Sequence, residues 1–276
     1  MILLEREKMS RVSVIIPTYN RADKLDYSVK SVLDQTYGDF KLIIVDDCSK
    51  DNTEEVVKGF GDDRIIYHRL EVNKGAAGAR NEGVRLADTE FIAFHDSDDK
   101  WLPDKLEKQI SYIEAHPEVG MVYGRVRVND PERTFVFPGK DMEGDLEGDL
   151  YPFLLQRNTI DTPTMLIRRE NFMDVGGFDE SLRCIEDWEF VIRFSNKYKI
   201  GFIDDVLIDS YVSANGVSRN IGAYYKTRCK MIAMHKENLI QLGLFDSVVM
   251  DVFSRAESSG VLPQVQQIMM STLSGN

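Results

Sequence analysis

Cysteine is scarce in this sequence, and long apolar runs are absent. The three cysteines, Cys48, Cys184 and Cys229, lie far apart and form no C-x-x-C pair, which argues against a zinc site or a disulfide framework. No stretch approaches the roughly 20 apolar residues that span a bilayer, and the N-terminus lacks the apolar core of a secretory signal. We therefore expect no transmembrane segment and a cytoplasmic protein, either free or peripheral at the inner face of the membrane.

Basic residues are also fewer than acidic residues. The 276 residues include 34 Lys and Arg against 46 Asp and Glu, which gives a formal net charge of −12. This balance disfavours binding to nucleic acid, whose phosphates attract cationic surfaces. If the chain binds a phosphorylated ligand, a metal ion or locally placed Arg and Lys must offset the ligand's charge. With 43% hydrophobic residues, the chain can still bury a substantial core.

The first hundred residues alternate the patterns of β-strands and α-helices. Apolar, β-branched runs predict buried strands at residues 12–17, 42–45, 65–68 and 91–94. Apolar residues recur at helical spacing between these runs, and Asn20 is available as a cap for the first helix. The alternation predicts an α/β fold with a mostly parallel sheet flanked by helices.

The remainder of the chain is less regular. Residues 119–128 alternate apolar and polar side chains, which predicts a strand with one solvent-exposed face. Residues 130–150 are rich in Gly, Asp, Glu and Pro and predict a loop. We expect a helix at residues 185–196, and the helical pattern beyond Ile221 predicts a C-terminal helical appendage.

Acidic residues follow two of the predicted strands. Asp96, Asp98 and Asp99 come directly after residues 91–94, where parallel sheets usually place ligand sites. Such a cluster is favourable mainly with a cation among the carboxylates, and oxygen ligands suit Mg²⁺ or Mn²⁺. A solvated, helix-capping turn is the alternative and is favoured for this motif alone. Asp47, after the earlier strand, would face the same crevice and accept a hydrogen bond from a base or ribose, or else form a local turn.

A segment of small residues with two cations, Lys74 and Arg80, precedes the third predicted helix. The N-terminus of that helix could face a diphosphate. The segment has neither the G-x-x-x-x-G-K-[ST] of a P-loop nor the G-x-G-x-x-G of dinucleotide-binding proteins. Close helix packing, which also needs Gly and Ala, is an equally weighted alternative.

Six short motifs occur in a fixed order along residues 10–210. They are V-S-V-I-I-P-T-Y-N at 12–20, I-V-D-D-C-S at 44–49, G-A-R-N-x-G at 78–83, F-H-D-S-D-D at 94–99, G-G-F-D-E at 176–180 and E-D at 186–187. In this combination the chain resembles the family 2 glycosyltransferases of the GT-A fold. The resemblance implies a Rossmann-like GT-A domain at 10–217, with a nucleotide-binding half at 10–100 and an acceptor-binding half at 101–217. Residues 218–276 would form the C-terminal helical extension.

The resemblance also implies a nucleotide site. Asp47 would recognise the base, Arg80 would lie near the base or the diphosphate, and Asp96 would approach the ribose. Asp98 would hold Mn²⁺ or Mg²⁺ on the diphosphate, where the ion offsets charge on the departing nucleotide. The remaining residues expected to line the nucleotide pocket are Pro17, Thr18 and Tyr19.

Asp187 matches the position of the family's catalytic base, at the start of a helix. An inverting transfer needs one carboxylate to take the proton of the acceptor hydroxyl as its oxygen attacks the anomeric carbon. Ordinary acidic enrichment in a first helical turn is the alternative, favoured without the resemblance. Gly177, Glu186 and Trp188 are expected near the donor sugar or the acceptor.

One motif departs from the family pattern. Members often follow the last core strand with Tyr-Arg-x-His, whose His can join the metal, whereas this chain has Tyr211-Val212-Ser213-Ala214. His95 is an alternative ligand, but a histidine at a strand end is more often a packed residue. Metal binding would then rest on Asp98, the diphosphate and water.

The resemblance implies transfer of a hexose or N-acetylhexosamine from a nucleotide-diphosphate sugar, with UDP the leading nucleotide, to a hydroxyl of a glycan, glycolipid or glycoprotein. The C-terminal helices could join copies into a homo-oligomer. Two alternatives stay open at this point: a sugar nucleotidyltransferase, whose Gly-rich start is missing here, and a nucleotide-sugar binding module without turnover.

Overall fold

A computed structural model of the protein describes residues 10–139, 142, 146–211 and 221–274. Val212, Ser213 and Ala214, which differ from the family's Tyr-Arg-x-His pattern, lie outside this range. Within the described range, none of the helices combines the length and apolar character needed to cross a bilayer. The predicted cytoplasmic or membrane-peripheral location stays a prediction.

The element order follows the predicted alternation. The strands are β1 (Val12–Thr18), β2 (Phe40–Asp46), β3 (Ile65–Arg69), β4 (Phe91–Phe94), β5 (Lys100–Trp101), β6 (Val119–Asn129), β7 (Thr134–Phe137), β8 (Leu166–Arg168) and β9 (Lys199–Tyr211). The helices are α1 (Leu25–Leu33), α2 (Thr53–Gly59), α3 (Gly75–Leu86), α4 (Lys105–Ala115), α5 (Tyr151–Leu154), α6 (Arg169–Asp174), α7 (Glu186–Ser195), α8 (Ile221–Met234), α9 (Lys236–Gln241), α10 (Phe245–Ser258) and α11 (Leu262–Ser274).

In the part of the chain that the structure describes, nine strands form one sheet in the order β3-β2-β1-β4-β8-β6-β9-β5, and β7 pairs with β6 off this path. Strands β1 to β4 are mutually parallel, β8 runs antiparallel between β4 and β6, and β6 pairs parallel with β9. The predicted α/β fold, with a mostly parallel sheet flanked by helices, is confirmed. The first four strands therefore end at one edge of the sheet.

Both faces of β1 are buried, as its mostly apolar, β-branched sequence predicts. Val14 and Ile16 belong to one apolar cluster, and Ile15 belongs to the cluster on the opposite face. Helix α3 packs against that second face, where a Cβ on Gly83 would lie 2.4 Å from Cγ2 of Ile15. The close approach requires glycine at this position. It holds α3 close against β1.

Three expectations about local structure are wrong. Strand β6 has no solvent-exposed face over most of its length, because the segment that includes Leu146 packs on it. The buried hydroxyl of Tyr123 donates a hydrogen bond to the carbonyl of Leu146 at 2.9 Å. The predicted loop at 130–150 contains β7, which pairs with β6. Asn20 does not cap α1, which begins at Leu25; Asn20 has a φ of 51° and accepts a hydrogen bond from the backbone of Lys50.

The predicted C-terminal helices are present and pack onto the same apolar cluster as α7. Cys229 and Ile232 of α8 are buried there together with Phe190. Polar contacts reinforce the docking, because the Arg228 guanidinium lies 4.0 Å from the ring centroid of Trp188 and donates a hydrogen bond to the carbonyl of Leu155. Helices α8 to α11 therefore form a packed layer against the sheet domain.

Candidate active site

A cavity of about 810 Å³ opens at the carboxyl ends of β1, β2 and β4, beside the first turns of α3 and α7. Ligands of open α/β sheets usually bind at this edge. The predicted site residues that line the cavity are Pro17, Thr18, Tyr19, Asp47, Lys74, Arg80, Asp96, Asp98, Glu186 and Asp187. The fold thus brings together motifs that lie up to 170 positions apart in the sequence.

Asp47 is held at the N-terminus of α3. Its two carboxylate oxygens accept hydrogen bonds from the backbone N–H groups of Lys74 and Gly75, at 2.6 and 2.8 Å. Burial raises the pKa of Asp47, although both backbone hydrogen bonds oppose the rise. Each carboxylate oxygen can accept a second hydrogen bond, so a base N–H could still bind here. The backbone contacts fix the orientation of the carboxylate before any ligand arrives.

Asp46, the neighbour of Asp47, is held by hydrogen bonds within the protein. It is 1% exposed, and its oxygens accept hydrogen bonds from the backbone of Ser49 and the hydroxyl of Tyr67. The residue closes a local turn after β2 and does not line the cavity. Of the two adjacent carboxylates, only Asp47 lines the cavity.

Arg80 links the two sides of the cavity. It is 6% exposed, and its guanidinium donates to Asp96 at 2.7 Å and to Glu186 at 2.9 Å. Burial alone would lower the pKa of Arg80, but the two carboxylates outweigh burial and raise it. The side chain therefore stays charged and ties the end of β4 to the start of α7. Lys74, the second predicted cation, lies on the cavity wall with its Nζ 3.5 Å from Glu82.

The carboxylates after β4 have different surroundings. Asp98 is partly exposed and lies 3.6 Å from the guanidinium of Arg21, and burial together with Asp96 raises its pKa. Asp99 is 5% exposed, and burial and nearby Asp96 and Asp161 raise its pKa to about 9. Crowded carboxylates with raised pKa values favour the approach of a cation.

Asp187 lies in the first turn of α7. The helix is anchored by Phe190, whose ring centroid lies 5.0 Å from that of Phe172 and 4.9 Å from that of Phe178. The carboxylate accepts hydrogen bonds from the backbone of Trp188 at 2.7 Å and from the hydroxyl of Thr162 at 3.3 Å. Burial, with a contribution from adjacent Glu186, raises the pKa of Asp187 to about 6. A carboxylate with that pKa is suited to take a proton near neutral pH.

Comparison with known sequences identifies the family. The family model described as "Glycosyl transferase family 2" matches residues 13–176, more than half of the chain. The chain belongs to glycosyltransferase family 2. The resemblance seen in the six motifs is thereby confirmed.

This family 2 member is similar to curated glycosyltransferases over part of their length. A glycosyltransferase of Haemophilus influenzae is 32% identical over 182 residues, which cover 66% of this chain and 61% of the relative. The Escherichia coli protein WfgD, named as a UDP-Glc:alpha-D-GlcNAc-diphosphoundecaprenol beta-1,3-glucosyltransferase, is 43% identical over 132 residues, covering 47% of this chain and 52% of WfgD. The matches thus span only about half to three fifths of the relatives' own lengths.

Solved structures share the fold. S. aureus TarS 1-349 in complex with UDP-GlcNAc superposes with a TM-score of 0.66 at 17% identity, covering 96% of this chain and 92% of TarS 1-349. The mannosyltransferase PcManGT of Pyrobaculum calidifontis, in complex with GDP-Man and Mn²⁺, gives 0.62 at 19% identity, covering 96% of this chain and 76% of PcManGT. The predicted GT-A fold of this family 2 member is confirmed.

The residues present in this family 2 member fit a loosely coordinated divalent cation. Over the described range, no three acidic, His or Cys side chains are placed to hold an ion together. Asp98 offers one carboxylate whose raised pKa a nearby cation would lower. Mg²⁺ is commonly bound through one or two protein carboxylates, with substrate phosphates and water completing its ligands. Asp98 therefore fits an ion that arrives with a diphosphate better than a permanently bound one.

Sequence reasoning about this family 2 member missed Asp161 and Thr162. Both line the cavity, and Asp161 precedes the short 3₁₀ turn Thr162–Thr164. Burial raises the pKa of Asp161 to about 7, with Asp187 contributing to the rise. The available signal was a single acid inside an otherwise uncharged stretch, Asn158 to Ile167. Tyr224 of α8, also on the cavity wall, gave no such signal.

Gly177 and Trp188, predicted near the donor sugar or acceptor, pack away from the cavity. Gly177 has a φ of 68°, and a Cβ there would lie 2.8 Å from Oδ1 of Asn81, so the glycine is needed for packing. Trp188 is 7% exposed and donates from Nε1 to the carbonyl of Leu154 at 2.6 Å. Both positions support α7 without lining the site.

His95 is a packed residue, as the sequence favoured. Its ring centroid lies 5.0 Å from that of Trp101, and burial lowers its pKa to about 3. It does not line the cavity and so cannot replace the missing histidine of the family motif. Its neutral ring closes the apolar layer beneath the strand-end carboxylates.

Proposed function

We propose that this protein is an inverting glycosyltransferase that moves a hexose or N-acetylhexosamine from a UDP-sugar to an acceptor hydroxyl, assisted by Mn²⁺ or Mg²⁺. The observation that supports this most is the position of Asp187, which lines the same cavity as Asp47, Asp96 and Asp98. A base on one wall and nucleotide-binding groups on the other suit an in-line attack on the anomeric carbon. Asp187 takes the proton of the attacking hydroxyl.

The nucleotide would bind along the strand ends. Asp47, already oriented by two backbone hydrogen bonds, accepts from the base, and exposed Tyr19 offers an aromatic surface beside it. Asp96 accepts from the ribose while Arg80 fixes its position. Lys74 is a further candidate for contact with the diphosphate, because it is partly exposed on the cavity wall.

Asp98 would hold the metal ion on the diphosphate. The ion supplies positive charge that stabilises the departing nucleotide, which the carboxylate-lined cavity cannot do alone. Asp99 and Asp161 have pKa values raised to about 9 and about 7 and can stay protonated near neutral pH. In that state they add no charge against the diphosphate and can donate hydrogen bonds.

The names of relatives support a UDP-sugar donor. WfgD, with 43% identity over its matched segment, is named for transfer from UDP-Glc to a GlcNAc-diphosphoundecaprenol. A glycolipid or glycan acceptor is therefore the leading proposal for this chain. We also propose the division into a nucleotide-binding half at 10–100 and an acceptor-binding half at 101–217, followed by the helical extension.

A donor panel tests this function. The protein would be incubated with UDP-glucose, UDP-galactose and UDP-N-acetylhexosamines, with and without Mn²⁺, and both thermal stabilisation and release of UDP would be measured. We expect one donor to stabilise the protein in a Mn²⁺-dependent way and to release UDP at a rate that Asp187→Asn abolishes. Stabilisation by a donor without release of UDP, whichever acceptor is added, would indicate a binding module. Synthesis of a sugar nucleotide from a sugar phosphate would indicate a nucleotidyltransferase.

A further inference from the structure

A second cavity lies beside the active site, in a groove between α8 and α10. Its volume is about 430 Å³. The polar and aromatic residues that line it are Tyr224, Tyr225, Ser254, Arg255, Ser258 and Ser259. None of these residues has a part in the proposed nucleotide or metal site. Tyr224 borders both cavities.

The groove continues from the wall of the active site that carries the base. Tyr224 lines the large cavity together with Asp161 and Asp187, and it lines the second cavity together with Arg255. Tyr224 therefore borders both spaces. A ligand whose reactive hydroxyl lies at Asp187 can extend past Tyr224 into the groove.

The face of α10 in the groove is polar. Ser254, Arg255, Ser258 and Ser259 recur at the spacing of one helical face, whereas Val252 and Ala256 of the same helix are buried in the core. Ser258 and Ser259 donate their hydroxyl hydrogens to backbone carbonyls of α10. The lone pairs of Ser258 remain able to accept hydrogen bonds from a ligand, and Ser259 keeps one lone pair beside its 3.4 Å contact with the hydroxyl of Tyr225.

Arg255 brings donors to the same face. Both hydrogen bonds that it makes within the described residues leave from Nε and reach Asp251, at 3.0 and 2.8 Å. Its two terminal nitrogens can therefore donate to ligand oxygens. Opposite it, the ring centroids of Tyr224 and Tyr225 lie 5.2 Å apart, edge to face. Tyr224 is partly exposed and presents apolar ring surface to the groove, whereas Tyr225 is buried behind it with its hydroxyl 3.4 Å from Oγ of Ser259.

We propose that this groove is an acceptor subsite that binds the second sugar of a glycan acceptor, while the first sugar presents its hydroxyl to Asp187. Aromatic surface beside hydroxyl acceptors and a guanidinium matches a sugar ring, which has apolar C–H faces and a rim of hydroxyls. The inference rests on the proposed function, because it places the first sugar by the base. It deepens that function by requiring an acceptor of at least two sugars for full affinity.

Direct binding of tagged saccharides tests the subsite. Fluorescence anisotropy would measure binding of tagged mono- and disaccharides of glucose, galactose and N-acetylglucosamine in the presence of UDP and Mn²⁺. We expect at least one disaccharide to bind about tenfold more tightly than its monosaccharide, as one or two additional hydrogen bonds would allow. Ser258→Trp, which fills the groove, and Arg255→Ala, which removes its donors, should each abolish the preference.

Glu257→Gln is the matched control, since Glu257 is exposed on α10 and does not line the groove. It should retain the disaccharide preference. Stabilisation by UDP checks that each variant is folded. A panel without any disaccharide preference, or a preference that survives both groove variants, overturns the subsite. UDP release from the donor by the wild-type protein tests the proposed function separately, because water can replace the acceptor in that reaction.

Discussion

Replacing the proposed base, Asp187, with its amide should lower activity and raise stability at the same time. In Asp187→Asn, the amide oxygen can accept the hydrogen bond from the backbone of Trp188, and the amide nitrogen can donate to the hydroxyl of Thr162. The local geometry is therefore kept. What is lost is the carboxylate that accepts the proton, and removal of a general base lowers rates by roughly 10²- to 10⁴-fold.

The stability change follows from the pKa of Asp187. The folded protein raises this pKa from 3.8 to about 6, chiefly by burial, so the ionised carboxylate destabilises the fold above pH 6. The penalty disappears as the pH falls towards 3.8. The difference corresponds to at most about 3 kcal/mol at pH 7, and a neutral amide removes it. We expect the melting temperature at pH 7 to rise by roughly 5 °C.

The assay pairs UDP release with thermal unfolding. Asp246→Asn is the matched control, because Asp246 lies in the first turn of α10 but is exposed. It should keep full activity and change stability by less than about 1 kcal/mol. Two results would refute this reasoning: activity of Asp187→Asn within threefold of wild type, or melting of Asp187→Asn well below wild type at pH 7.

Four further predictions concern the site and its support. Wild-type activity should fall about tenfold between pH 7 and pH 5, because Asp187 becomes protonated below a pKa of about 6; a flat rate profile over that range would remove the base assignment. In Asp98→Ala, Mn²⁺ should no longer strengthen UDP binding measured by calorimetry, whereas exposed Asp26→Ala should leave the metal effect intact. In denaturant titrations, Arg80→Met should lower the free energy of unfolding by about 3–5 kcal/mol, because Asp96 and Glu186 lose their shared partner. The control Arg85→Met, on the exposed side of α3, should cost under about 1 kcal/mol. Gly83→Ala should cost about 1–3 kcal/mol through contact with Ile15, whereas Gly59→Ala, with open space around it, should be close to neutral; equal losses would contradict the packing argument.

Much of the fold, and the site residues that follow the strands, can be predicted from local sequence patterns. The strands β1, β2 and β4 are mostly apolar runs, and Asp47 and Asp98 follow shortly after two of those strands. Because parallel strands end at the same edge, their proximity could be predicted without coordinates. Asp187 was expected in the site only through its motif, since its helix comes from the far part of the chain.

The errors arise where distant segments decide the outcome. The polar residues of β6 suggested an exposed face, but residues from 146 onward cover it. Trp188 follows the base in sequence, yet the helix turns its indole towards Leu154 and Arg228. The role of Asp161 likewise depends on the 3₁₀ turn that carries it to Asp187. Burial of this kind is set by tertiary packing and leaves little periodic signal in the sequence.

Arg80 has a structural role that the sequence did not suggest. The resemblance placed it near the base or diphosphate, and it does line the cavity. Its buried ion pairs with Asp96 and Glu186 also make it the link between β4 and α7. Removing one partner of a buried pair is strongly destabilising, so its effects on activity must be separated from effects on folding.

The most direct measurement is a crystal structure of the protein with UDP and Mn²⁺. The account predicts the uracil within hydrogen-bonding distance of Asp47, the cation on Asp98 and the diphosphate, and the carboxylate of Asp187 facing the space beyond the diphosphate. UDP bound elsewhere, or bound in this cavity with its diphosphate away from Asp98, would contradict it.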